Sequence, residues 1–248
     1  EKFVSWALEG GGPTLVKGGP GTGKSTVALY RVRAMLQSLK KAGEPSPRIL
    51  FTTYTNALVT FSEQLLKSLL GDAAQFVDVR TADSIALSIV SSRSGAARIA
   101  TQQELREAMT EAMGSLKQPG SSLVKRANVM TLSKLGRDYL IDEINSVIEA
   151  RRLTTFEAYR DATRQGRRVP LSEGYRASIW ALRDVFNQQL KRIGKTTFQQ
   201  VRAYAAQLVE QGHGPDRYDG VVIDEAQDLD PSLLWILTSL AKEPNRVF

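Results

Sequence analysis

The sequence predicts an α/β fold in which helices wrap a parallel sheet and a mostly helical segment interrupts the domain. Three observations carry that prediction. A glycine-rich stretch, Gly18-Gly19-Pro20-Gly21-Thr22-Gly23-Lys24-Ser25, stands between a strand-like and a helix-like run. Short apolar segments alternate with amphipathic ones through residues 1–91, and the alternation returns in residues 216–248. Residues 92–215 instead show helical periodicity without a convincing strand. The expected organisation is a nucleotide-binding domain made of residues 1–91 and 216–248, with residues 92–215 as a helical basic insertion.

Composition narrows the class. The chain has 248 residues, 42% of them hydrophobic, which is ordinary for a globular protein. It has no cysteine, so disulfides and thiolate metal sites are excluded. No apolar run approaches the roughly 20 residues of a membrane helix, so no membrane partner is expected, and a cytoplasmic location is the default. In a bacterial cell that would mean association with the nucleoid. The net charge is +7, and its distribution is uneven. Residues 91–215 hold 20 Lys and Arg against 12 Asp and Glu, whereas the remainder is nearly neutral. A basic insertion in a neutral nucleotide-binding frame predicts phosphate-backbone contacts, for which Lys125-Arg126, Arg151-Arg152 and Arg167-Arg168 are the candidate pairs. A solvated helical face is the plainer alternative.

Residues 1–8 read as the end of a helix stopped by Gly10-Gly11-Gly12 and Pro13, and Thr14-Leu15-Val16-Lys17 as a strand. The loop that follows curls so that successive amide N–H groups form an anion cradle that side chains would block. Its pattern predicts binding of a nucleoside triphosphate. Lys24 reaches the outer phosphates, Ser25 offers its hydroxyl to Mg²⁺, and the next helix adds its positive end. That helix should bury Val27, Leu29, Val32, Leu36 and Leu39. Arg48-Ile49-Leu50-Phe51 is a strand, and Thr55 or Asn56 caps a helix with Leu58, Phe61, Leu65, Leu66 and Leu69 facing a core and Gly71 at its end. Phe76-Val77-Asp78-Val79 is a further strand, after which Thr81-Ala82-Asp83-Ser84 opens a helix.

Within the insertion, Thr101 with Glu104, Thr154 with Glu157 and Thr196 with Gln199 read as capping boxes. Gln118-Pro119-Gly120-Ser121-Ser122 is a turn, and Tyr175, Ile179, Leu182, Phe186, Leu190 and Ile193 form a core stripe with Trp180 beside it. The parallel pattern resumes at Tyr218-Asp219-Gly220-Val221-Val222-Ile223, which delivers Asp224-Glu225 to the carboxyl end of a strand, where open α/β sheets bind ligands. Beside a phosphate loop, Asp224 can hold Mg²⁺ through water and Glu225 can position or deprotonate the attacking water. Asp230 caps a helix with Pro231 in its first turn and Leu233, Leu234, Leu237 and Leu240 on its apolar face. Arg246-Val247-Phe248 looks like the start of another strand, so the sequence is expected to be a piece of a longer chain.

GGPGTGKST from Gly18 to Thr26, FTTYTNAL from Phe51, TADS from Thr81 and VVIDEAQD from Val221 together resemble the first motor domain of superfamily 1 helicases of the UvrD/Rep type. The resemblance implies a RecA-like P-loop NTPase domain, interrupted by a helical subdomain called 1B where the basic insertion lies. It implies an ATP-driven motor that moves 3′ to 5′ along single-stranded DNA and opens duplexes at single-strand/duplex junctions. Gly18, Gly19, Pro20, Gly21, Thr22, Gly23, Lys24, Ser25 and Thr26 would bind ATP. Ser25 and Asp224 would hold Mg²⁺, Glu225 would be the catalytic base, and Gln227 would sense the γ-phosphate. Tyr54, Thr55, Asn56 and Thr81 fall on motifs that contact the DNA strand. For Thr55 and Asn56, helix capping alone is the alternative. A second RecA-like domain with arginine fingers is expected in the full-length chain. The sequence departs from the family pattern at Asp83, where a histidine is usual, and lacks a recognisable adenine-reading glutamine motif before the loop. Its single histidine, His213, has no partner that would make it a metal or catalytic residue. Two other functions share these features: a DNA-stimulated ATPase switch that does not unwind, and a non-catalytic DNA-binding module.

Overall fold

The computed structural model describes residues 12–116, 132–164, 167 and 169–248. The helix end expected over residues 1–8, the turn at Gln118-Pro119-Gly120-Ser121-Ser122, the Lys125-Arg126 pair and Arg168 lie outside the described residues. The chain forms two compact units, Glu1–Ile89 with Ala205–Phe248, and Val90–Tyr204.

The first unit is built on three strands, β1 (Ile49–Thr53), β2 (Val77–Thr81) and β3 (Gly220–Ile223). All pairings are parallel and the order is β2-β1-β3. Ile49, Leu50 and Phe51 are at most 1% exposed, so the central strand opens on a continuous apolar run because both its faces are covered, and it ends in the buried Thr52 and Thr53. Phe51 stands opposite Val79 on one side and Val222 on the other. Helix α1 (Lys24–Lys41) buries Ala28, Val32, Met35, Leu36 and Leu39 on that face, while Val27 and Leu29 of the expected stripe are only half-buried. A Cβ on Gly220 would come within 2.2 Å of the Met35 methyl, so a glycine here lets α1 close on the sheet.

The other expectations in this unit hold unevenly. Residues 14–17 form no strand: Thr14 N–H donates to the Val247 carbonyl at 3.0 Å, and Leu15 is 69% exposed. Val247 itself makes only an isolated bridge to Val221, so it offers too little edge for a ladder. Helix α2 (Asn56–Leu70) buries Ser62 and Leu66, and leaves Leu58, Phe61 and Leu65 exposed. Of the expected apolar face only Leu66 is buried, and Ser62, which was not expected to face the core, is buried with it. Helix α3 (Ala82–Ser94) follows β2 directly.

The second unit contains α4 (Gln102–Leu116), α5 (Arg137–Glu143) running into a π-helical turn (Ile144–Glu149), α6 (Phe156–Asp161), α7 (Glu173–Arg192) and the first part of α8 (Phe198–Glu210). Its core joins Met109 and Ala112 of α4 to Leu140 and Ile144 and to Ile179, Leu182, Phe186 and Leu190 of α7. Ile193 lies beyond the end of α7 and is exposed, so the predicted stripe stops one residue early. The Thr101/Glu104 capping box forms as expected, with Thr101 N–H donating to Glu104 at 2.8 Å and Glu104 N–H to the Thr101 hydroxyl at 3.2 Å. The other two shift by one residue. Thr155 caps α6 through Ala158 N–H, and Thr197 exchanges bonds with Gln200 at 3.1 Å. Each lies in a Thr-Thr doublet, and the second threonine takes the cap; Thr155 has the extended backbone that a cap requires.

This unit also buries an ionic network. Glu143 is fully buried, and its carboxylate accepts from Arg164 Nε at 2.7 Å, Arg167 Nε at 2.9 Å and the Tyr159 hydroxyl at 3.0 Å. Burial would raise the Glu143 pKa, but the hydrogen bond and charge of Arg164, with the charge of Arg167, hold it below the usual carboxylate range. Arg167, expected to contact nucleic acid, is spent here: it is 15% exposed, also pairs with Asp142, and stacks over the Tyr139 ring. Arg151 donates to the Thr163 carbonyl.

Candidate functional site

Every residue of the predicted nucleotide site comes from the first unit, at the carboxyl edge of its sheet. The loop of residues 18–23 precedes α1, which starts at Lys24, and Gly21 and Gly23 have φ of 73° and 81°. Thr22 donates its hydroxyl hydrogen to the Gly19 carbonyl at 2.8 Å, which pins the loop across its own turn. A Cβ on Gly18 would approach that hydroxyl to 2.6 Å, so the pinned loop leaves room only for glycine there. Lys24 Nζ folds back to donate to the carbonyls of Gly18 and Gly19, both at 3.0 Å. Its charge is thereby held over the cradle.

Strand β3 delivers the acids. Asp224 N–H donates to the Thr52 carbonyl at 2.9 Å, which closes the last pair of β1 with β3, Thr52 with Ile223, and fixes the Asp224 backbone at the strand end. The Asp224 carboxylate accepts from Ser25 Oγ at 3.2 Å and from Glu225 N–H at 3.1 Å. Burial pushes the Asp224 carboxyl above its ordinary range; the Ser25 hydrogen bond pulls it back and the Glu225 charge pushes it up again. Glu225 has φ 57° and ψ 39°, a left-handed backbone costing a non-glycine residue about 1–2 kcal/mol. Such strain concentrates at functional positions. It turns the chain sharply after the strand, into the short turn of Ala226–Asp228, where Gln227 donates its side-chain amide to the Glu225 carboxylate.

These groups fit a nucleotide with Mg²⁺. The cradle is shaped for phosphates, and a hydroxyl beside a carboxylate is the hard oxygen pair that Mg²⁺ takes. Pro20 lies in the loop turn, and Thr26 is exposed two residues into α1.

The predicted strand-contacting residues gather at the same edge. Tyr54, Thr55 and Asn56 follow β1 and Thr81 ends β2, with Thr53 and Thr81 opposite each other in the ladder. Tyr54 is 53% exposed. The Thr55 hydroxyl accepts from Leu58 N–H at 3.2 Å and the Thr81 hydroxyl from Ser84 N–H at 3.2 Å, so both serve as helix caps. A capping hydroxyl still has its own hydrogen to donate. Sequence reasoning missed the two threonines at the end of β1. Thr52 holds Asp224 through its carbonyl, and only the register of β1 against β3 reveals this.

A phosphate loop before a helix and an acidic pair at the end of a neighbouring parallel strand define a P-loop nucleotide-binding domain of RecA-like type. The chain belongs to the UvrD/REP helicase family, since the model of the UvrD/REP helicase N-terminal domain matches residues 5–248. No curated protein matches it significantly. The family is one of ATP-hydrolysing helicase motors, and membership implies ATP, Mg²⁺ and DNA as ligands.

Proposed function

We propose that this chain is the first motor domain of an ATP-dependent helicase or translocase that couples ATP hydrolysis to movement on single-stranded DNA and to unwinding at single-strand/duplex junctions. The observation that supports this best is the 3.2 Å contact between Ser25 and Asp224, residues separated by 199 positions in the chain. A merely structural loop has no use for that pairing beside Lys24 and Glu225. In this reading residues 1–91 and 216–248 are the RecA-like domain 1A and residues 92–215 a 1B-like basic subdomain.

Lys24 exchanges the Gly18 and Gly19 carbonyls for the outer phosphates, a charge-assisted contact. Ser25 and Asp224 hold Mg²⁺, which supplies neutralising charge to the phosphates when bound. Glu225 orients the attacking water and accepts its proton, and Gln227 beside it senses the γ-phosphate. Tyr54 offers a ring for a base to stack on, and Thr55, Asn56 and Thr81 offer polar groups to phosphates and sugars. A second RecA-like domain in the full-length protein brings the arginine finger, worth about 10³ to 10⁵ in rate.

Lys24→Ala tests the assignment. Removing a charged hydrogen-bond donor should weaken binding of ATP with Mg²⁺ about ten- to a hundredfold, measured by equilibrium titration. Unchanged affinity would sink the phosphate-loop reading. Strand displacement by the full-length protein then separates a motor from an ATPase switch.

A further inference from the structure

Two buried hydroxyls at the end of β1, those of Thr52 and Thr53, have no hydrogen-bond partner, although the residues are only 1% and 2% exposed. Leaving a buried hydroxyl unpaired is costly, so each calls for an explanation. Side chains alternate between the faces of a strand, which separates the two. Ile49 and Phe51 lie in the core under α1 together with Val77, Val79 and Val222. Thr53 continues that face and Thr52 points to the other. The register pairs Phe51 with Val222 and Thr52 with Ile223, so the position beside Thr53 on the next strand is Asp224. The Asp224 N–H bond to the Thr52 carbonyl at 2.9 Å closes the Thr52–Ile223 pair and keeps the Asp224 backbone against β1, so Asp224 is the next residue along that edge. Neighbouring parallel strands are about 4.8 Å apart, so Thr53 and Asp224 share one face at adjacent positions.

The half-buried Asp224 carboxylate has an oxygen open to a further donor. Its Oδ1 accepts from Ser25 Oγ and Glu225 N–H, whereas its other oxygen has no hydrogen bond among the described residues. A carboxylate that holds a metal must be oriented as well as charged, and groups one layer out from the ligands supply that orientation. We propose that Thr53 is a positioning residue of the metal site, its hydroxyl donating to the Asp224 carboxylate, directly or through a Mg²⁺-bound water, when nucleotide and Mg²⁺ are bound. This rests on the reading of Ser25 and Asp224 as the Mg²⁺ site. It gives Thr53 a role separate from strand contacts: Tyr54 and Asn56 follow it, but its own hydroxyl is buried on the α1 side.

The test uses the full chain, with a fluorescent, non-hydrolysable ATP analogue titrated with Mg²⁺ and again in chelator. Thr53→Val keeps the shape and removes the hydroxyl. The Mg²⁺ concentration for half-maximal binding should rise about tenfold, binding in chelator should not change, and Thr53→Ser should restore the wild-type midpoint. The thermal midpoint of Thr53→Val should equal or exceed that of wild type, because an unpaired buried hydroxyl has been removed. An unchanged Mg²⁺ midpoint in Thr53→Val, with Ser25→Ala shifted, overturns this proposal alone. An equal shift in Thr52→Val would assign the effect to strand packing and overturn it as well. If wild type shows no Mg²⁺ dependence, or Ser25→Ala has no effect, the metal-site reading falls and this inference with it.

Discussion

Asp224 and Glu143 are carboxylates withdrawn from solvent to different depths, half-buried in the first compact unit and fully buried in the second, and they are treated in opposite ways. Glu143 is saturated by Arg164, Arg167 and Tyr159, and its pKa falls despite complete burial. Asp224 receives one hydroxyl and one backbone N–H, and burial drives its pKa up. The second unit closes its acid with its own cations. The first leaves its acid without a cation hydrogen-bonded to it among the described residues, and Lys24 nearby is turned onto loop carbonyls. An acid whose needs are met within the chain is structural, whereas one left short is suited to receive a cation from outside.

The sharpest way to break this contrast is at Glu225. Glu225→Gln keeps the shape of the side chain but cannot accept a proton, so hydrolysis by the full-length enzyme should fall about 10² to 10⁴-fold while nucleotide binding persists. Single-turnover hydrolysis measures the loss, and near-normal turnover would assign the base elsewhere.

Next in size is the structural acid. Glu143→Ala leaves the Arg164 and Arg167 guanidiniums and the Tyr159 hydroxyl buried without their acceptor, and should cost about 3–5 kcal/mol of stability. Urea unfolding followed by the fluorescence of Trp180, whose ring stacks on Tyr159 at 6.1 Å, reports on that region. If stability is unaltered, the network is incidental and the contrast with Asp224 loses one side.

The smallest effect belongs to Glu104, a carboxylate at the surface of the same unit. The Thr101 N–H bond, helped by Lys195, lowers its pKa from the ordinary 4.5 to about 2. A depressed carboxylate stabilises the fold above its unfolded pKa, and that stabilisation is lost as pH falls through the folded value. Glu104→Gln should therefore be slightly less stable than wild type above about pH 4.5, with the gap closing between pH 4.5 and 2. A gap that stayed constant with pH in urea titrations would refute the assignment.

The sequence by itself determined what depends on neighbours along the chain. The glycine loop into Lys24 and Ser25, the Asp230 cap with Pro231, the Thr101/Glu104 box and the three strands β1, β2 and β3 all follow from spacings of a few residues and are formed, whereas the strand expected at residues 14–17 is not. The acids at the end of β3 were legible for the same reason, since an apolar strand carries them to a predictable edge. Tertiary structure alone decided which apolar residues of an amphipathic helix meet the sheet. It chose Ser62 and Leu66 over Leu58, Phe61 and Leu65 in α2, and in α9 (Pro231–Ser239) it buried Ile236 and left Leu234 40% exposed. Periodicity marks an apolar stripe, but the angle at which a helix lies on its neighbour sets which part of the stripe is covered. Charge followed the same rule. Arg167 is basic in the sequence and neutralised in the fold, because its partners Asp142 and Glu143 lie more than twenty residues away along the chain. Thr53 became a candidate only through the register of β1 against β3, which joins positions about 170 residues apart and which no local pattern encodes.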